Sequence, residues 1–203
     1  HYPNPGPRSR DLLARWVWRG ALNGAHQGNT VSTRASIERI VSDNEDTSVQ
    51  RLLEMVKARP TALPDATAPF NFRHATSKLQ TLALVDLKPR DLERGTVISL
   101  DLLGGSQERD LSMTTIVEKS RGALSKSVVN RLFHPGRPRL RRLLIEVADP
   151  VVIASHGIPR DAITALRDGD VEGFFVARAQ LLSEHFRRFF ARHTRWDEPD
   201  RPS

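Results

Sequence analysis

The chain has 203 residues, enough for one large domain or two small ones around a hydrophobic core. It contains no cysteine, which excludes a disulfide framework and a thiolate zinc site, and no apolar run suits a bilayer span or a signal peptide, so a cytosolic protein is expected. The net charge of +7 favours anionic partners, nucleic acid foremost, although 26 Arg against 5 Lys is also what a GC-rich bacterial genome produces without any ligand.

Taken in order, His1–Pro7 reads as a proline-rich linker from a missing N-terminal domain. Capping residues at Ser9–Asp11, then Leu12, Leu13, Trp16, Val17 and Leu22 at a spacing near 3.6, predict a helix over about residues 8–22. Gly20, Gly24 and Gly28 mark its end and a loop. Trp16 and Trp18 stand two apart and cannot share one helical face, so one of them meets a second packing surface, for which the missing N-terminal part is a candidate. Ser32 or Thr33 caps a helix carrying Ile37, Ile40 and Val41, and Asp46 or Thr47 caps another carrying Val49, Leu52, Leu53 and Val56. Pro60, Pro64 and Pro69 give a loop. A helix over Phe72–Val85 follows, with Phe72, Ala75, Leu79, Leu82 and Ala83 as its apolar stripe and Pro89 as its stop.

Thr96–Leu100 alternates like a short strand and pairs with Met113–Val117 across the Gly104–Gly105 turn, a single hairpin. Short helices are expected at about Lys126–Phe133 and Arg139–Val147, and a third with Pro159 at its first position, ending at Gly169. Asp170 caps the last helix, whose stripe of Val171, Phe174, Phe175, Leu181, Leu182, Phe186, Phe189 and Phe190 runs to about His193. Arg178 and His185 interrupt that stripe and are expected at its border, stems buried and heads in water. The fold class is therefore mainly α, a multi-helix domain with one short β-hairpin and a long C-terminal helix with an aromatic face. A helical subdomain over 8–95 precedes the hairpin and helices of 96–203, and the two can form one continuous domain.

Charge is not spread evenly. Between Glu118 and Glu146 there is no acidic residue, while Lys119, Arg121, Lys126, Arg131, Arg137, Arg139, Arg141 and Arg142 all fall there. A run of one sign attracts polyanions over about a Debye length. Guanidinium groups bond phosphates bidentately, so Arg121, Lys126, Arg131, Arg137, Arg139, Arg141 and Arg142 are the candidate nucleic-acid contacts. The alternative is a solvated basic face, or arginines paired with acids from elsewhere in the chain. Asn130, His134 and His156 are the weak catalytic candidates. No HxH or HExxH spacing supports a metal site, and neighbouring Ser155 and His156 do not make a triad; His134 before Pro135 and His156 before Gly157 both suit loop positions. The glycine pairs match neither a phosphate-binding loop nor a dinucleotide fingerprint.

Four phrases occur in one order: Ala14–Gly20 with Gly28 and Thr33, Phe72–Lys78 through Lys88–Leu92, Ser127–Arg131, and Ser155–Pro159. Together they resemble the C-terminal half of the GmrSD-type, ParB-like defence proteins of bacteria, whose phrases "ARWFW", "PRD", "SIANR" and "SHxIP" they match in part. The resemblance implies an HNH-related ββα region and an N-terminal NTP-binding partner domain, in proteins that attack modified or phage DNA. An HNH nuclease needs a histidine base at a strand end and a bound metal such as Mg2+ or Mn2+. Where the family carries "HHIFP", this chain has Thr114–Lys119, with no histidine between His74 and His134. The resemblance thus implies a degenerate site: a module that binds nucleic acid, in all expectation DNA, or its partner domain, without cutting and with no cofactor of its own. The alternatives are a divergent metal-dependent nuclease using Asn130, His134 and His156, and a structural interaction domain.

Overall fold

The structure, a computed structural model, describes residues 2–26, 29–98, 111–118, 120–135, 139–147 and 149–201. Among them are eight α-helices and one two-stranded antiparallel sheet, so the chain is mainly helical, with a single strand pair and a long aromatic C-terminal helix. No helix among the described residues is long and apolar enough to cross a membrane. The chain divides into two compact units, residues 1–63 with 187–203, and residues 64–186.

The first unit holds α1 (Pro7–Asn23), α2 (Asn29–Ile37), α3 (Glu45–Glu54) and the last turns of α8 (Val171–Thr194). Proline at the first turn of α1 costs no hydrogen bond, because that N–H is unpaired in any helix. Leu12 of α1 packs with Val49 and Leu53 of α3, and Trp16 lies against this cluster. Trp18 faces elsewhere: it stacks on His193 at 4.5 Å and meets Phe189 edge-on at 5.3 Å. The second surface demanded by the tryptophan spacing is thus the end of α8. The cap of α3 is Asn44, whose side chain accepts from the Thr47 N–H at 2.8 Å, so the Asp46 or Thr47 expected as cap lies inside the first turn. Ile40 and Val41 lie beyond the end of α2 rather than on it.

The second unit holds α4 (Ala75–Asp86), β1 (Leu111–Thr115), β2 (Arg131–Pro135), α5 (Leu140–Glu146), α6 (Pro150–Ala154), α7 (Arg160–Asp168) and the first four turns of α8. In α4 the buried side chains are Ser77, Leu79, Gln80, Ala83 and Leu84, while Phe72 and Leu82 are half exposed. The stripe expected for this helix is therefore rotated, because Gln80 turns inward and donates to the Asp65 carbonyl at 2.6 Å.

Met113 does sit on a strand, but its partner is Phe133, not the 96–100 segment. Thr96–Ile98 instead makes a bridge to Arg90, and residues 99–110, with the Gly104–Gly105 turn, lie outside the described residues. The helix expected over Lys126–Phe133 is two 3-10 turns, Leu124–Lys126 and Val128–Asn130, followed directly by β2. Leu132, Phe133 and His134 are all buried, and a short run buried on both faces has no periodicity to separate strand from helix. α6 was not expected, although Asp149 caps it from the residue before Pro150, accepting from the Val151 N–H at 2.8 Å. α8 begins as read: Asp170 accepts from the Gly173 N–H at 2.9 Å. Phe174, Phe175, Phe186 and Phe190 are all buried, each worth about 2–3 kcal/mol of transfer free energy.

Candidate functional site

α5 presents the basic strip. Leu140 and Leu144, one turn apart, are both fully buried and fix the helix's inner face, which leaves Arg139 and Arg142 exposed on the other side. Arg141 is half-buried and donates to the Leu166 carbonyl of α7 at 3.4 Å. Together with Arg121, from the loop after β1, these arginines line one cavity of about 930 Å3. The wall they share is aliphatic, from Ile116, Leu140, Ile145 and Val171, and three carboxylates, Glu118, Glu146 and Glu172, line the same cavity.

Two of those acids stand at the ends of the acid-free interval and the third comes from α8. The fold therefore softens the one-sign potential that the sequence suggests. Glu146 accepts from the Arg142 Nε at 2.8 Å and holds that guanidinium above its ordinary pKa, first through the hydrogen bond and then through its charge. No carboxylate among the described residues pairs with Arg121 or Arg139. Among the described residues two guanidiniums thus keep their donors open to a ligand, and one is shared.

Of the other basic residues, Arg131 and Lys126 do not line this cavity. Arg131 lies over the Phe70 ring, 5.2 Å from its centroid, and burial pushes its pKa down. Lys126 is exposed at the end of the first 3-10 turn, and Arg137 lies outside the described residues.

Asn130, His134 and His156 are buried in the body of the second unit, each 1–2 % exposed. The Asn130 amide is fully engaged with backbone: it donates to the Val117 carbonyl at 3.0 Å and the Ser125 carbonyl at 3.1 Å, and accepts from the Val117 N–H at 2.9 Å. It pins the loop that follows β1 and so places Glu118 and Arg121. His156 donates from Nε2 to the Arg90 carbonyl at 2.6 Å. Burial lowers its pKa to about 4, partly offset by that hydrogen bond and reinforced by the neighbouring Arg178 and His134 charges.

Arg178 is the residue the sequence reading misplaced. It is completely buried rather than wet at its head, and donates to the Val129 carbonyl and, at 2.9 Å, to the His156 carbonyl. Burial drags its pKa down to about 9, so it stays cationic at neutral pH. Asp91 sits in the same neighbourhood; burial alone would raise its pKa, but N–H donors from Arg94 and Glu93, with His134 nearby, bring it below the ordinary value. His185 is half-buried and donates to the Ala83 carbonyl at 2.6 Å.

A cation in the same buried neighbourhood as His156 and a fully engaged Asn130 form a donor set that does not fit a divalent metal, whose ligands must be free and electron-rich. Among the described residues no three His, Asp or Glu are grouped to hold a metal ion. The only sequence signal for Arg178 was a charge interrupting an aromatic stripe. No protein-family model matches the chain, and no curated protein or solved structure matches it either.

Proposed function

We propose that this chain is a nucleic-acid-binding module, with DNA as its partner, that engages phosphates through Arg121, Arg139 and Arg142 without cutting them. The observation that carries this reading is the convergence of Arg121, Arg139, Arg141 and Arg142, from two separate segments, on one open cavity, with no carboxylate among the described residues paired to Arg121 or Arg139. Arginine donors that are not internally neutralised are what a phosphate displaces water from most readily. Contacts of this kind position a strand and supply affinity without reading sequence. The GmrSD-type resemblance sets the context: the C-terminal module of a modification-dependent restriction or anti-phage protein, working beside an N-terminal NTP-binding domain.

The nuclease alternative asks Asn130, His134 and His156 to work from buried positions, with the Asn130 amide already engaged by backbone. Binding without cleavage is the better reading of the same residues. Anisotropy of a labelled duplex at low salt tests it. Arg121→Ala/Arg139→Ala should weaken binding at least about tenfold, as expected for two charge-assisted contacts. Arg39→Ala/Arg51→Ala, which removes two exposed arginines of the other unit, should leave binding nearly unchanged. Equal losses in the two variants would mean that net charge, not this cavity, attracts the duplex.

A further inference from the structure

A platform for backbone phosphates needs arginines and little else, yet this cavity has more. Its aliphatic wall of Ile116, Leu140, Ile145 and Val171 is of no use to a phosphate, and its volume of about 930 Å3 lies in the range of pockets that enclose a small molecule. Glu118 and Glu172 are exposed on its lining and, among the described residues, pair with no arginine or lysine. Carboxylates repel phosphate, so their presence beside open guanidiniums weakens a purely anionic ligand. They suit a ligand that carries a hydrogen-bond donor some distance from its negative charge.

One chemical class has an anionic end, a flat apolar body and an amino donor: a nucleotide whose base bears an exocyclic amino group. Acidic side chains accept from the N4 amino group of cytosine in the same way at base edges. We infer that the cavity takes a single unpaired nucleotide of this kind, with its phosphate on Arg121 and Arg139, its base against the aliphatic wall, and its amino group on Glu118 or Glu172. This deepens the phosphate-binding reading and rests on it. The nucleotide is either extruded from a strand, which enzymes acting on bases achieve for a few kcal/mol of unstacking, or free in solution.

The test compares labelled duplexes that are fully paired, that carry one bulged cytidine, or that carry one bulged thymidine, with free CMP and TMP as competitors. The bulged cytidine should bind about tenfold tighter than the paired duplex and several-fold tighter than the bulged thymidine. Ile145→Trp, which fills the cavity from its wall, should bring the bulged probe to the level of the paired one. Glu118→Gln/Glu172→Gln, a change of charge at constant size, should abolish the preference for cytidine over thymidine; thermal unfolding checks that both variants fold. Competition by CMP at comparable affinity supports the site and identifies its source as the free nucleotide. Equal binding of paired and bulged duplexes by the wild-type chain overturns the inference and leaves the phosphate reading standing. Absence of binding to every probe overturns both.

Discussion

His156 makes stability depend on pH in a way that can be worked out beforehand. It is 2 % exposed and shares its neighbourhood with the Arg178 cation, so, against the opposing pull of its hydrogen bond to the Arg90 carbonyl, the folded chain holds it neutral down to a pKa of about 4, against 6.5 when unfolded. Between those values the unfolded chain binds a proton that the folded chain refuses. The stability tied to the neutral ring is therefore complete above pH 6.5 and falls as the pH drops toward 4. The slope is about 1.4 kcal/mol per pH unit, or about 3 kcal/mol across the window. Urea unfolding at pH 7.5 and 4.5 measures this on the wild type and on His156→Gln, whose amide can still donate to the Arg90 carbonyl but does not titrate. The wild type should lose about 2–3 kcal/mol more than the variant between the two pH values, since all other groups are common to both. Parallel losses would refute the claim that a buried neutral imidazole sits there.

Arg178→Met strips the Val129 and His156 carbonyls of their buried donor, and a loss of about 2 kcal/mol is expected in chemical denaturation; an unchanged midpoint would mean that removing the buried charge offsets both bonds. Gly157 has φ +64, and a Cβ there would lie 2.6 Å from Leu182 Cδ2. Gly169 has φ +82 with nothing within 4 Å. Gly157→Ala should therefore cost clearly more than Gly169→Ala, which pays only the left-handed backbone penalty of about 1 kcal/mol. Equal melting temperatures would contradict the close packing at Gly157.

What could be read from the sequence follows from how local each signal is. α8 announces itself because its cap Asp170 and its aromatic stripe lie within one segment. α1 and α7 were legible from stripe and stop, but α1 begins at Pro7 behind Gly6, with the expected cap residues Ser9–Asp11 inside the helix, and Pro159 caps α7 rather than opening it. β2 was invisible as a strand because Leu132–His134 is buried throughout, and its partner β1 is separated from it in sequence by 116–130, a loop and two 3-10 turns rather than a tight hairpin turn. The basic strip was legible as composition, but not its division: whether an arginine meets an acid, an aromatic ring or open space is decided by residues far away in the chain. Arg142 with Glu146 could have been foreseen from their i, i+4 spacing. Arg131 over Phe70, and the arrival of Glu172 at the cavity, could not. Arg178 was misjudged for a related reason: a charge in an apolar stripe is put at the edge by default, and only the fold supplies two backbone carbonyls that let it lie at the centre.

The central claim is that open arginines at one cavity bind backbone phosphates, and counterion release tests it most directly. Duplex affinity of the wild type and of Arg121→Ala/Arg139→Ala, measured across a salt series, gives the slope of log K against log salt for each. Each lost phosphate contact should reduce that slope by about 0.9, so the double variant should fall short of the wild type by about 2. Identical slopes, with affinity lost or retained, would contradict the account.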